Sequence, residues 1–305
     1  MKIVGAGLAG LLAGRMLSFR NPLVFERQTG LPNNHSAVLR FRTSAVGDVL
    51  NIPFKEVTMI KTHHPWKNAV ADSMAYSFKN TGTLRSDRSI IAGATVATRW
   101  IAPPNLIPRM AQALTICYGE PFEFPKLRTS EPIISTVPMP VLMQELGYPF
   151  PVSFDHTPGL NIRATIVDCD AYISLLVPDP KYPFARISIT GDELIVEIPS
   201  PTDWDGPSMA EFVSKCSYEA CELLGFNGNK LFNISWSKQT YAKINPIDDA
   251  MRKQFMFWAT DNFNIFSLGR FATWRPGLLL DDLVNDVRQI SRWIDQGSYS
   301  IARAR

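Results

Sequence analysis

The chain has 305 residues, enough for one large domain or two intertwined smaller ones. Hydrophobic residues make up 46% and charged residues 19%, a globular composition able to bury a substantial core; the net charge of +3 neither compels nor forbids a polyanionic partner. No segment is long and apolar enough to span a bilayer, which excludes a membrane-spanning helix.

The chain opens on Lys2-Ile3-Val4 and runs straight into Gly5-Ala6-Gly7-Leu8-Ala9-Gly10. A second apolar run, Leu23-Val24-Phe25, ends on Glu26. Strand, tight glycine turn, helix start and an acid at the tip of the next strand are the parts needed to hold an adenosine diphosphate. Gly5 permits the turn, Gly7 lets backbone approach the pyrophosphate, and Gly10 lets the helix pack on the strand. The N–H groups around Leu8 and Ala9 and the helix dipole face the phosphates. Glu26 is the acceptor for the adenosine ribose hydroxyls. Gly14 adds a small residue where the helix faces the sheet.

Thr29 to Asn34 is turn-rich, and the stretch from His35 to Thr43 carries Arg40 and Arg42. Ile52 to Met59 and Ala92 to Ile101 read as strands, with a polar, aromatic loop opening at Thr62-His63-His64-Pro65-Trp66. Leu106 to Leu114 has helical spacing with Pro108 near its start. Pro132 to Pro140 reads as a buried strand that ends in hydroxyl residues and two prolines. Ala164 to Val177 and Phe184 to Ile198 look antiparallel, the second pair turning at Gly191-Asp192. Met209 to Leu224 is an amphipathic helix, and Ile234 to Tyr241 a strand. Asn264 to Leu268 is a buried strand broken by Gly269-Arg270. Leu278 to Ile294 is a helix with Asp281 and Asp282 in its first turn, as the dipole favours.

The four cysteines, Cys117, Cys169, Cys216 and Cys221, form no CxxC pair and have no histidine at metal-ligand spacing. Free thiols in a reducing compartment and no metal are expected, and with them a cytoplasmic location. The N-terminal apolar stretch belongs to the first βα unit rather than to a signal peptide.

The fingerprint with Glu26, the middle IISTVPMPVL and the late NIFSLGRFATWRPGLLLDDLV stand in the order found in a known group. In this the chain resembles the FAD-dependent amine oxidase, protoporphyrinogen oxidase and UDP-galactopyranose mutase superfamily, as a compact member of the kind found in viruses. The resemblance implies an α/β fold: a Rossmann-like, glutathione-reductase-like FAD-binding domain with an inserted α+β substrate domain carrying a mainly antiparallel sheet. The expected FAD domain is discontinuous, 1–60 plus 115–145 plus 260–305, and the substrate domain 61–114 plus 146–259.

The resemblance also assigns roles. Gly5, Gly7, Leu8, Ala9 and Gly10 would hold the pyrophosphate, Glu26 the ribose, and Arg27 would lie over the adenine side. Thr136, in the Ser135–Pro138 turn, would lie close to the cofactor. Gly269 and Arg270 would lie near the second phosphate and ribityl chain, and Leu280 and Asp281 would begin the helix aimed at the flavin. Arg40 or Arg42 stands where this family often places a flavin-contacting arginine; a surface ion pair is the alternative. With no cysteine beside the last Gly-Arg, FAD is expected to be noncovalent.

For chemistry the flavin carries the electrons, so the protein needs aromatic walls and a few polar hooks. Trp274 is expected beside the flavin, with Tyr241 and Arg275 bordering the same space. By the same resemblance Lys243 is the candidate to hold a water against N5; a surface lysine is the alternative. His64, with His63 and Trp66, is a candidate base near neutral pH; an exposed loop pair is the alternative. The implied reaction is hydride transfer from a carbon next to nitrogen to flavin N5. Two alternatives stand beside it: a non-redox, sugar-nucleotide mutase-like use of flavin, and action on an amine or amino-acid group of a nucleobase in DNA. The expected partner is a small-molecule or nucleotide-linked amine. Nucleic acid is permitted by the charge and the basic tail at Arg303 and Arg305.

Overall fold

The computed structural model describes residues 1–31, 39–84, 90, 93–199 and 208–296. His35, Arg303 and Arg305 lie outside them.

Strand β1 (Lys2–Val4) passes through the glycine turn into helix α1 (Leu8–Met16), and β2 (Leu23–Glu26) returns parallel to β1. The short crossover between them is a 3-10 turn, Ser18–Arg20, closed by Asn21 in the left-handed region at φ 47°. The chain then leaves this sheet. Strand β3 (Arg40–Phe41), helix α2 (Ala45–Leu50), strand β4 (Lys55–His63), helix α3 (Ala69–Thr81), strand β5 (Thr95–Ile101) and helix α4 (Leu106–Ala111) lead back to it at β6 (Thr115–Tyr118) and β7 (Ile133–Ser135). Helix α5 (Met139–Leu146) opens the second excursion. It contains β8 (His156–Ile166), β9 (Ala171–Leu176), β10 (Arg186–Gly191), β11 (Glu193–Pro199), helix α6 (Met209–Leu223), β12 (Leu231–Ile244) and helix α7 (Asp249–Phe263). Strand β13 (Ile265–Ser267) and helix α8 (Leu280–Gln296) bring the end of the described chain back to its beginning.

Two sheets result. The first is parallel, in the order β13-β7-β1-β2-β6. Its strands are apolar on both sides because helices cover both faces. Ile3, Ile134 and Phe266 pack with α1, α4 and α8; Val4, Ile133 and Ile265 pack with α5 and α7. The second sheet is mixed, in the order β12-β8-β11-β10-β9-β4-β5-β3. It is antiparallel except where β4 runs parallel to β9. One face is apolar: Leu160, Ile162, Val196 and Ile187 meet Val213, Cys216, Ala220 and Cys221 of α6. Burial pushes the Cys216 and Cys221 thiols up to about 12, so they are inert core residues.

Strand membership divides the chain differently from the expected boundaries. β3 and β4 belong to the mixed sheet although both begin before residue 61, and α4 packs on α1 although it lies before residue 115. Four helices stand where no helix was expected, the short α2 among them. Helix α3 follows the polar loop, with Asn68 accepting from the N–H groups of Val70 and Ala71. In α5, Pro140 sits in the first turn, where its missing N–H costs nothing. Helix α7 begins with Asp248 accepting from Met251 N–H at 2.9 Å. Among the described residues no helix is long and apolar enough to cross a membrane.

Candidate active site

Three strand ends of the parallel sheet meet at one point. Gly5 follows β1 with φ +98°, Thr136 follows β7, and Gly269, two residues beyond β13, has φ +102°. Thr136 fastens this turn through N–H and Oγ1, both donating to Val4 O at 2.9 Å. A Cβ on Gly5 would lie 2.2 Å from Thr136 Oγ1, and one on Gly269 would lie 3.1 Å from Ala9 Cβ, so both positions require glycine. A Cβ on Gly10 would lie 1.9 Å from Gly5 O, which fixes the closeness of α1 to the turn. At Gly7 a Cβ would meet nothing within 4 Å. That glycine borders open space, the condition for backbone to receive a phosphate. The first intrahelical bond runs from Leu11 N–H to Gly7 O at 2.9 Å, so the N–H groups of Leu8, Ala9 and Gly10 precede the helical ladder. β1 lies between β2, which the chain reaches first, and β7, which it reaches last but one, so the order reverses there; such a switch point is where open α/β sheets bind ligands.

Glu26 has work in the protein itself. Its carboxylate accepts from Ala6 N–H at 2.7 Å and Gln28 N–H at 2.9 Å, tying the glycine turn to the end of β2. Each oxygen keeps a second lone pair for a ribose hydroxyl. Arg27 and Arg42 are exposed. Asp281, in the first turn of α8, accepts from the N–H groups of Arg42 and Thr43 and from Thr43 Oγ1 at 3.0–3.1 Å. It therefore clamps the end of β3 onto the helix that Leu280 begins.

Arg40 turns the other way. Its guanidinium lies on the mixed sheet, donating to Ser188 Oγ at 3.1 Å, Met59 Sδ at 2.8 Å and Ile173 O at 3.4 Å. This second face of the sheet is polar, with Asn161, Ser174 and Ser188 buried on it. Arg186 donates to Glu197 Oε1 through Nη2 and, at 2.8 Å, through Nε. Lys243 Nζ lies 3.2 Å from Glu197 Oε2. Burial opposes ionisation of Glu197, but Arg186 and Lys243 outweigh it and bring the carboxyl down to about 2. Burial also lowers Lys243, with Glu197 opposing and the charges of Arg186 and Arg270 adding to the effect. Arg270 follows the Gly269 turn, so the polar face and the glycine cradle adjoin at Arg270 and Lys243.

Trp274 differs most from expectation. It is 1% exposed, in the core between the parallel sheet and α7. Its Nε1–H donates to Asn245 O at 2.9 Å, and its backbone has φ 46°. The indole stiffens the connection after the Gly-Arg turn instead of forming a wall. Tyr241 stacks against that core, 4.7 Å from the His156 ring and 5.7 Å from Trp274. Arg275 pairs with Asp286 of α8. His64 meets Tyr182 edge-on at 6.0 Å, on the border of the apolar cluster under α6 and away from Lys243. His63 faces the polar side, with Nε2 3.6 Å from Asp72. In sequence Arg99, Arg163 and Arg186 are available to clamp a diphosphate but show no arrangement, and Glu197 and Ser188 carry no signal; only the antiparallel register of β10 and β11 pairs Arg186 with Glu197.

No family model and no curated protein sequence matches the chain. Solved structures do match its fold, which is that of a Rossmann-like α/β domain with an inserted α+β domain. A reduced UDP-galactopyranose mutase superposes with a TM-score of 0.67 at 12% identity, covering 97% of this chain and 96% of that one. A geranylgeranyl bacteriochlorophyll reductase-like protein from Thermoplasma acidophilum gives 0.56 at 10% identity, over 98% and 79%. Aklavinone-11 hydroxylase, solved with FAD and aklavinone, gives 0.53 at 12% identity, over 96% and 62%.

Proposed function

We propose that the protein is a FAD-dependent oxidoreductase of the amine-oxidase type, taking a hydride from a carbon next to nitrogen of a small-molecule or nucleotide-linked amine. The observation that carries the flavin assignment is the meeting of Gly5, Thr136 and Gly269 around the open space at Gly7. The N–H groups of Leu8, Ala9 and Gly10 would bind the pyrophosphate, Glu26 the ribose, and Gly269 and Arg270 the second phosphate and ribityl chain. FAD, held noncovalently, supplies the acceptor for an electron pair. The chain supplies position and charge. Glu197 holds Lys243 in place, and the remaining N–H donors of Lys243 are the ones this reading assigns to a water or to the substrate nitrogen.

One observation favours a second reading. The reduced UDP-galactopyranose mutase matches this chain over almost the full length of both. That likeness in fold is what favours the second reading, a non-redox reaction on a sugar nucleotide using flavin that is already reduced.

An anaerobic reduction screen separates the readings. The purified protein is expected to be yellow. Bleaching by an amine without added reductant supports hydride transfer, whether the amine is free or carried on a modified nucleotide. Turnover of a sugar nucleotide only after dithionite treatment supports the second reading. Colourless protein from cells grown with excess riboflavin would overturn both.

A further inference from the structure

Among the described residues, the polar face of the mixed sheet carries more positive than negative charge. Strand register sets Arg40, Arg99, Arg186, Glu197 and Lys243 on this one face. The charge of Arg270 reaches Lys243 from the adjoining turn, and that of Arg99 reaches Arg40. Arg40, Arg99, Arg186 and Lys243 thus face one carboxylate, Glu197, among the described residues. The other nearby acids are already committed: Glu193 pairs with Arg163, and Asp72 accepts from the N–H groups of Trp66 and Lys67 beside His63. Arg186 and Lys243 divide Glu197 between them, while among the described residues Arg40 donates to the neutral groups already named. Burial and the neighbouring Arg186 lower Arg40 to about 10, and Glu197, which opposes them, does not make up the difference. Surplus buried charge of one sign is costly unless an opposite charge joins it.

We propose that the substrate carries an oxyanion, a carboxylate or a phosphate, that docks between Arg40 and Arg186 on the mixed sheet and points the rest of the molecule toward Arg270. Ser188 links the two arginines: it stands two residues from Arg186 on β10, on the same face, and accepts from Arg40. A planar guanidinium pair suits the two or three oxygens of such a group better than a single amine would. Calling the ligand a substrate rests on the flavoenzyme reading; the anion site itself does not.

The test titrates inorganic phosphate, pyrophosphate and benzoate into the purified protein at constant ionic strength, reading the thermal midpoint together with flavin absorbance. At least one anion should raise the midpoint of the wild type. In Arg40→Met and Arg186→Met its affinity should fall about tenfold or more, the scale of a lost charged hydrogen bond. Arg40→Lys, which keeps the charge and the fold but not the fork, should recover part of it, and Lys215→Gln, a change at an exposed lysine, none of the loss. A response to benzoate alone identifies a carboxylate, and to the phosphates alone a phosphate. No response in the wild type, or equal responses in wild type and all arginine variants, overturns the proposal. Colourless protein that still binds the anion through Arg40 and Arg186 would sink the flavin reading and leave this one standing.

Discussion

Gly7 and Gly10 are two glycines of one turn with opposite physical reasons for being glycine. At Gly7 the space beyond Cα is open, so Gly7→Val should fold, with a thermal midpoint close to that of flavin-stripped wild type, and emerge colourless. Full flavin occupancy in that variant, measured by absorbance, would contradict the cradle. At Gly10 an added methyl meets the Gly5 carbonyl, so Gly10→Ala should lose stability before any ligand is considered. Trp274 belongs with Gly10 in this respect. Trp274→Ala removes a fully buried indole and leaves Asn245 O without its donor, which should cost about 3–5 kcal/mol in a urea denaturation series. A loss of turnover with stability intact would return Trp274 to the active site.

Among the elements, α3 depends most on a single side chain. Lys79 enters the loop between β9 and β10 and donates to the carbonyls of Val177, Asp179, Tyr182 and Phe184 at 2.6–3.2 Å. Burial lowers its ammonium to about 8, with Asp179 opposing. Lys79→Met leaves those carbonyls without their common donor and should destabilise the fold by about 1–3 kcal/mol, measurable by chemical denaturation. At the other end of the helix, Asn68→Ala removes the cap and should cost about 1 kcal/mol. Helix α3 was not legible because its buried residues, Asp72, Ser77, Asn80 and Thr81, are polar, while Val70, Met74 and Phe78 are exposed. Its pattern is inverted relative to an ordinary amphipathic helix, since it covers a polar sheet face. Helix α7 was missed for a related reason: only a narrow stripe, Phe255, Ala259 and Phe263, is buried, which gives weak periodicity.

At the scale of the whole molecule, one charge cluster ties three strands of the mixed sheet together, and this gives a pH signature. Glu197 titrates at about 2 in the folded protein against an ordinary 4.5. A carboxylate depressed by folding contributes its full stability above its unfolded value and loses it as pH falls through the folded one. The stability difference between wild type and Glu197→Gln should therefore be largest above about pH 5 and shrink between pH 4.5 and pH 2. Urea midpoints across that range check it. A difference that stays constant with pH would mean that Glu197 is not the counter-ion of Arg186 and Lys243.

What the sequence determined by itself was the local chemistry: the glycine turn, Glu26, the late Gly269-Arg270, and the antiparallel pair β10 and β11 turning at Gly191-Asp192. Each is dictated by neighbours within a few residues, through φ angles, pleat and helix period, and so can be read along the chain. Most of β8, which begins at His156, was not legible. Tertiary structure decided where the arginines went. Arg40 and Arg42 stand two residues apart in sequence, yet one guanidinium lies on the buried sheet and the other is exposed. It also decided that Trp274 is core and that Arg186, Glu197 and Lys243 form one cluster. Their separation of 46 residues between Glu197 and Lys243 closes only when β8 takes β11 and β12 on its two sides. Long-range strand pairing depends on the total burial of both sheet faces, a quantity that no short stretch of chain contains.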